Sequence, residues 1–348
     1  MTPKIVHVNV ARNYRGGERQ TELLIRGLAS CNVRQALVAR RGGELARRVR
    51  DVGVEVREVR GGLWSVTRAV HDAALVHVHE GRSVYAAYLR SLWSGTPYVI
   101  TRRVNNPIRD HWFAHRAYAA AACVAAVAPQ VAEIVRAHNA GISVCVIHSG
   151  SSGLVVDGPM SRAIRLRFAD KFVVGHVGAL DNAQKGQEFI IAVARELESS
   201  HPNVHFVLVG GGDDEAMLRD LAAGLSNVTF AGFVDNVGDF LAAFDVFVLP
   251  SNREGIGSIL FDAMEQGLPV IASRVGGVPD IVHHDENGLL IDPASPMQLR
   301  DAILALRADP ARRRAYGERG RAFARNFTAE AMWRKYFALY ESLIGRIN

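Results

Sequence analysis

The stretch Asp245-Val-Phe-Val-Leu-Pro250-Ser-Asn-Arg-Glu254-Gly-Ile-Gly257-Ser-Ile-Leu-Phe-Asp262-Ala-Met-Glu265-Gln-Gly-Leu-Pro269 decides how this chain is read. An apolar strand, Asp245 to Leu249, runs into a carboxylate, two glycines and then a helical pattern. Such a layout sets an acid and backbone N–H groups at the carboxyl end of a strand, where open α/β sheets bind ligands. Helix starts at that place favour anions. Glu254 has few packing reasons to stand between a buried strand and a glycine turn. It can accept hydrogen bonds from sugar hydroxyls, or it can cap the following helix, a task open to Ser258 as well. Asp262 and Glu265 share a stripe of that helix, which reads either as a functional face or as plain solvated surface. Ile259, Leu260, Ala263 and Met264 are expected on the core side.

Outward from this stretch the chain alternates. Strands are expected at Ile5–Val10, Gln35–Ala39, Leu75–Val78, Tyr98–Thr101 and Cys123–Ala128, with helices between them, among them Glu18–Leu28 and Glu44–Val52. A Gly- and Ser-rich run, residues 149–159, then marks a hinge. Beyond it the pattern restarts with strands at Phe172–Val177, Val204–Val209, Val228–Phe230, Val246–Leu249, Val270–Ala272 and Leu289–Ile291. Alternation of this kind makes parallel sheets covered by helices. At 348 residues the chain has room for two such halves.

No apolar run reaches the roughly 20 residues of a spanning helix. The start of the chain leads almost at once into a strand, so no signal peptide is expected. The three cysteines lack metal or redox spacing and suit a reducing cytoplasm. Residues 1–150 carry 21 Lys and Arg against 10 Asp and Glu, whereas the remainder is acidic. A basic half suits an anionic partner such as phosphate or an acidic membrane face; scattered surface arginine explains it equally. Arg40, Arg41, Arg47, Arg48 and Arg50 cluster near one expected helix, with no nucleic-acid motif beside them.

Other positions carry weaker signals. Gly16-Gly17 lies between the first strand and helix but lacks the three-glycine dinucleotide spacing. Gly210-Gly211-Gly212 reads as a βα turn, and the Asp213-Asp214 pair after it caps a helix while repelling phosphate. Lys185 stands just ahead of a helix start, against the macrodipole, a conflict that a bound anion would remove. His77 and His79 alternate on one strand face, but no third metal ligand has convincing spacing, so a structural role is expected.

Taken in order, these motifs resemble the retaining GT-B-fold glycosyltransferases of glycosyltransferase family 4, over nearly the whole chain. Gly16-Gly17 resembles the first glycine loop and Val146-Ile-His-Ser-Gly150 the interdomain segment. Val177-Gly178 through Lys185-Gly186 resembles the phosphate loop and Gly232-Phe-Val the base-binding turn. Glu254 through Asp262 resembles the motif with two spaced acids, and Gly276-Gly-Val-Pro-Asp280 the segment that follows. The resemblance implies two Rossmann-like domains facing an interdomain cleft. Residues 1–150 would hold the acceptor, 151–328 the nucleotide-sugar, and 329–348 a helix crossing back to the first domain.

It also implies roles. Glu254 would contact the donor sugar, Asp262 the ribose, and Lys185 the diphosphate. The backbone at Gly257, Ser258 and Ile259 would serve sugar and phosphate, and Phe233 and Val234 the base. The donor would be a nucleotide-diphosphate sugar and the acceptor a glycan or glycolipid, with no bound metal or cofactor and no nucleic acid. Peripheral contact with an anionic membrane would follow from a membrane-borne acceptor. The opening Arg15-Gly-Gly-Glu-Arg-Gln-Thr-Glu-Leu-Leu is similar to enzymes of bacterial surface polysaccharide or lipopolysaccharide-core assembly. Three positions depart from the family pattern. Asp262 is one methylene shorter than the usual glutamate, Ala179 replaces a phosphate-binding arginine, and Arg103 stands where many members place a histidine. Arg103 or Arg15 would then offset the missing charge. A non-catalytic partner subunit and a nucleotide-sugar epimerase are the competing readings.

Overall fold

The computed structural model describes residues 2–347 and divides the chain into two compact units. One comprises Met1–Ser152 with Thr328–Asn348, the other Gly153–Phe327. In the first, seven strands form one sheet: β1 (Ile5–Asn9), β2 (Gln35–Arg40), β3 (Glu55–Val59), β4 (Leu75–Val78), β5 (Tyr98–Arg102), β6 (Cys123–Ala126) and β7 (Val144–Val146). Their order is β3-β2-β1-β4-β5-β6-β7 and every pairing is parallel. In the second unit six strands follow: β8 (Phe172–Val177), β9 (Val204–Val209), β10 (Val228–Gly232), β11 (Val246–Leu249), β12 (Val270–Ser273) and β13 (Gly288–Ile291). They lie in the order β10-β9-β8-β11-β12-β13, again all parallel. Both units are Rossmann-like, and in both the order reverses at the first strand, where such sheets leave a crevice at their carboxyl ends.

The central strands are mostly apolar and buried because helices cover both faces of each sheet. Strands β1, β4, β11 and β12 are buried throughout. The two strands that sequence reading missed, β3 and β7, are the edges of the first sheet. Glu-Val-Arg-Glu-Val of β3 is half-exposed and tied by ion pairs, with Arg57 on Asp72 and Glu55 and Lys4 on Glu55. A charged edge of this kind lacks the hydrophobic run that betrays a central strand, and it blocks pairing with other chains.

The last helix, Ala329–Ile344, belongs to the first unit. Its Met332, Tyr336 and Tyr340 join Ile5, Leu24, Leu75 and Val99 in one core cluster. Gly150 lets the returning chain pass: a Cβ there would stand 2.6 Å from the Thr328 carbonyl oxygen and the Ala329 nitrogen. Gln20 fixes the same point, donating to the Gly150 carbonyl at 2.7 Å and accepting from its N–H at 2.9 Å. Among the described residues no helix is long and apolar enough to cross a membrane.

The expected arginine cluster is largely neutralised. The expected helix Glu44–Val52 ends at Arg48 and continues as a 3-10 turn, Arg50–Val52. Glu44 takes both Arg47 and Arg48, and Glu58 takes Arg50.

Candidate functional site

In the second unit four loops leave the carboxyl ends of adjacent strands. They are residues 178–186 after β8, 210–214 after β9, 233–236 after β10 and 250–258 after β11. Glycines hold them together by close backbone approach. Gly210, at φ +137°, lies where a Cβ would collide with the Gly178 carbonyl, and a Cβ on Gly212 would collide with that of Leu180. Gly186, at φ +66°, abuts the Pro250 carbonyl. The three-glycine run is therefore a packing device between loops rather than a free turn. Asp214, expected to cap its helix, makes no capping bond; its carboxylate accepts the Asn182 N–H at 2.7 Å and ties the second loop to the first.

Glu254 sits where these loops converge. The residue is buried, and Oε1 accepts from Lys185 Nζ at 2.5 Å and from Ser251 Oγ at 2.9 Å. Lys185 ends a short helix, Asn182–Lys185, and Gly186 turns the chain directly into the helix Gln187–Ser200. Glu254 thus supplies the anion that a lysine beside a helix start calls for. The rival reading, Glu254 as a helix cap, does not hold: its hydrogen bonds run to Lys185 and Ser251, and Ser258 occupies the cap position. Ser258, at the cap position of the helix Ile259–Glu265, makes no side-chain capping bond either. Gly257 has φ +69°, and a Cβ there would press on Leu249 and Leu260 at 3.0 and 3.2 Å. This turn has to be glycine.

Two expectations about that helix need correction. Asp262 is 5% exposed, so the solvated-face alternative fails at that residue while Glu265 stays half-exposed, and Ile259, expected in the core, is half-exposed. The helix has only seven residues and turns Phe261 inward with Asp262, where Phe261 stacks on Phe327. Phe233 is 64% exposed, with Val234 beside it half-buried. Ser251 and Gln187 were not singled out from sequence. Ser251 lies inside the decisive stretch, three residues ahead of the carboxylate it supports. Gln187 donates to the Ala179 carbonyl at 2.8 Å and so fixes the loop that lacks the expected arginine.

The first unit gathers a second set of residues. Gly16 and Gly17 open the helix Gly16–Ser30, with the Arg15 N–H donating to Glu18 Oε2 at 3.0 Å. Arg103, just past β5, is brought to this turn: its Cδ lies 3.5 Å from where a Gly17 Cβ would stand. Its Nη1 donates to the His79 carbonyl at 3.4 Å, and its Nε is buried without a partner. Burial holds this guanidinium below its ordinary pKa.

Beneath it lies a histidine trio. His7 supplies the third member that sequence spacing hid, because β1 pairs with β4 and sets His7 opposite His77. Nitrogens of His7, His77 and His79 lie within 4.8 Å of one another, close enough to be tested as a metal site. Their hydrogen bonds point to structure instead. Gln35 spends its amide nitrogen on the Ile25 carbonyl, so its oxygen accepts from His7 Nε2 at 3.0 Å. His7 Nδ1 then accepts from His79 Nε2 at 3.0 Å. His77 bonds Tyr340 at 2.5 Å and Thr101 at 2.7 Å, and Thr101 bonds Tyr336. Of the three, His77 fastens the last helix to the sheet, together with Thr101.

Burial pushes His7 down to about 4, and His176 in the second unit likewise to about 4. His77 and His79 shift the same way. Between pH ~6.5 and ~4 the unfolded chain therefore binds protons that the folded one refuses. Stability is expected to fall with falling pH across that window, by up to about 1.4 kcal/mol per pH unit for each such histidine. Urea midpoints that stay level from about pH 7 to about pH 5 would contradict this.

Residues 157–323 match the family model for glycosyl transferases group 1. Over 97% of its length the chain is 28% identical to the lipopolysaccharide core biosynthesis glycosyltransferase LpsE of Rhizobium meliloti, covering 99% of that protein. It is 33% identical to LpsD of the same organism over 54% of either chain. Among solved structures, Anabaena Alr3699/HepE in complex with UDP-glucose superposes with a TM-score of 0.86 at 20% identity, over 97% of this chain and 99% of that one. Sucrose-phosphate synthase from Thermosynechococcus elongatus gives 0.84 at 23% identity, over 98% and 99%. The structural likenesses establish the fold, the GT-B type.

Proposed function

We propose, from the match of residues 157–323 to the family model for glycosyl transferases group 1, that the chain is a retaining glycosyltransferase working without a bound metal. It moves a sugar from a nucleotide-diphosphate sugar to a glycan or glycolipid acceptor in lipopolysaccharide or polysaccharide synthesis. The observation that carries this reading is the buried Glu254 carboxylate held against Lys185 at the carboxyl end of β11. The lipopolysaccharide core biosynthesis role of LpsE and the UDP-glucose held by Alr3699/HepE support it.

In this reading Glu254 accepts hydroxyls of the donor sugar, and Ser251 keeps its orientation. Lys185 turns from Glu254 toward the diphosphate and stabilises the charge that grows on the leaving group. The backbone at Gly257, Ser258 and Ile259 serves sugar and phosphate. Asp262 holds the ribose, and Phe233 and Val234 border the base. Gly16 and Gly17 offer backbone N–H groups to the donor's phosphate or sugar, and the first unit takes the acceptor. A membrane-borne acceptor would bring peripheral contact with an anionic membrane.

A nucleotide-sugar that binds the folded chain must raise its melting temperature. A thermal-shift screen of UDP-, GDP-, ADP- and CMP-sugars is expected to single out one base, and no shift with any of them would sink the reading. Arg103 and Arg15 are proposed as the cations that replace the arginine absent at Ala179. Arg103→Ala or Arg15→Ala is expected to weaken donor affinity about tenfold, in line with loss of one charged hydrogen bond. Unchanged affinity in both variants would remove that role.

A further inference from the structure

Trp64 and Trp93 form an exposed stacked pair on the first unit. Their ring centroids are 5.8 Å apart with planes 16° from parallel, and the side chains are 59% and 61% exposed. Trp64 belongs to the helix Leu63–Ala69 and Trp93 to the helix Val84–Ser94. Leu63, 37% exposed, precedes Trp64 in its helix, and Leu92, 62% exposed, precedes Trp93 in its own. Gly61 and Gly62, at φ +87° and +99°, turn the chain immediately ahead of Leu63. Nothing in the fold requires two indoles here: each stacks on the other and leaves most of its surface to water. Contiguous apolar surface of this kind marks a docking site.

The charge around the pair has one sign. Neither residues 60–71 nor residues 81–109 contain an aspartate or glutamate. Arg68 lies one helical turn beyond Trp64, and Arg60 stands just before the two glycines. Both are exposed, and neither enters an ion pair among the described residues. This contrasts with Arg57, whose charge is taken by Asp72 and Glu55, and with the Arg47, Arg48 and Arg50 group. A partner complementary to indoles, leucines and unpaired guanidiniums must offer apolar depth beneath an anionic surface. Lipid meets both demands, since tryptophan favours the headgroup level and arginine the anionic phosphates above it.

We propose that Trp64, Trp93, Leu63 and Leu92, ringed by Arg60 and Arg68, form a membrane-docking surface that inserts into an anionic lipid interface. The role assigned to it, presenting the first unit to a membrane-borne acceptor, rests on the glycosyltransferase reading; the binding itself does not.

Co-sedimentation of the full chain with phosphatidylglycerol vesicles and with phosphatidylcholine vesicles tests it. Wild type is expected to sediment with the first and much less with the second. The double variant Trp64→Ser, Trp93→Ser is expected to lose about tenfold or more in partitioning while keeping its salt dependence, because apolar burial is removed and charge is not. Arg60→Gln and Arg68→Gln are each expected to cost about fivefold at low salt, a difference that vanishes when salt screens the surface. Thermal melts verify that the variants fold. Wild type that ignores phosphatidylglycerol vesicles, or a tryptophan variant that binds them equally, would overturn the proposal. So would a wild-type dimer that ignores vesicles and dissociates on tryptophan replacement, which would make the patch an interface between copies. The donor thermal shift, read on the same samples, separates the two ideas. Vesicle binding with no donor shift sinks the transferase reading alone, and a donor shift with no vesicle binding sinks this one alone.

Discussion

Glu254→Ala is expected to lower kcat/KM by about a hundred- to thousand-fold, the range seen when one preorganised polar contact to a reacting group is removed. The melting temperature should hardly move. The reason is an asymmetry within the ion pair: the Lys185 side chain is 17% exposed and that of Glu254 only 7%. When the carboxylate is deleted, Lys185 can carry its ammonium to water along its flexible stem. Glu254→Gln keeps an acceptor for Ser251 but loses the charge, so it should recover part of the activity if hydroxyl contact dominates. Steady-state kinetics with the donor found by thermal shift, together with melts of each variant, check both halves. An Ala variant with wild-type turnover would remove Glu254 from the site.

Lys185→Ala is expected to act on activity and stability together. Loss of the cation proposed to face the leaving diphosphate should cut kcat by about a hundredfold or more. Removal of the partner also strands Glu254, buried, with only Ser251 to satisfy it. Breaking a buried pair from one side costs about 3–5 kcal/mol, and the partial exposure of Lys185 brings the expectation down to about 2–3 kcal/mol. The double variant Lys185→Ala, Glu254→Ala should then be more stable than Lys185→Ala alone, since no charge is left behind. A double-mutant cycle from denaturant melts measures this directly. Equal stabilities for the two would show that the pair is not coupled.

Much of this site was legible in the chain. The strand–acid–glycine layout around Glu254 is local, because a βα turn places its own residues at the strand end whatever the rest of the molecule does. The same holds for Gly257, whose positive φ only glycine adopts freely, and for Lys185 ahead of its helix. Partnerships were not legible. Lys185 and Glu254 are 69 residues apart, and His7 and His79 are 72 apart; only strand order brings them together. The capping role weighed for Glu254 and Ser258 was a sound local alternative that a long-range ion pair displaced. Asp214 shows the same displacement, since a backbone N–H from another loop takes the carboxylate that local rules assign to its own helix.

The sequence by itself determined the class of the fold. Apolar strands alternating with amphipathic helices, restarted after a Gly- and Ser-rich run, leave few arrangements other than parallel sheets covered on both faces. It determined which residues stand at strand ends, since that depends on period and turn chemistry within a few residues. Tertiary structure alone decided which charges are spent and which are free. Arg47, Arg48 and Arg50 look like a basic patch in the chain and are paired in the fold, while Arg60 and Arg68 look ordinary and, among the described residues, enter no ion pair. The physical reason is range. Backbone preference and hydrophobic period act over a turn or two of chain, whereas ion pairing and burial depend on neighbours that only the sheet order supplies.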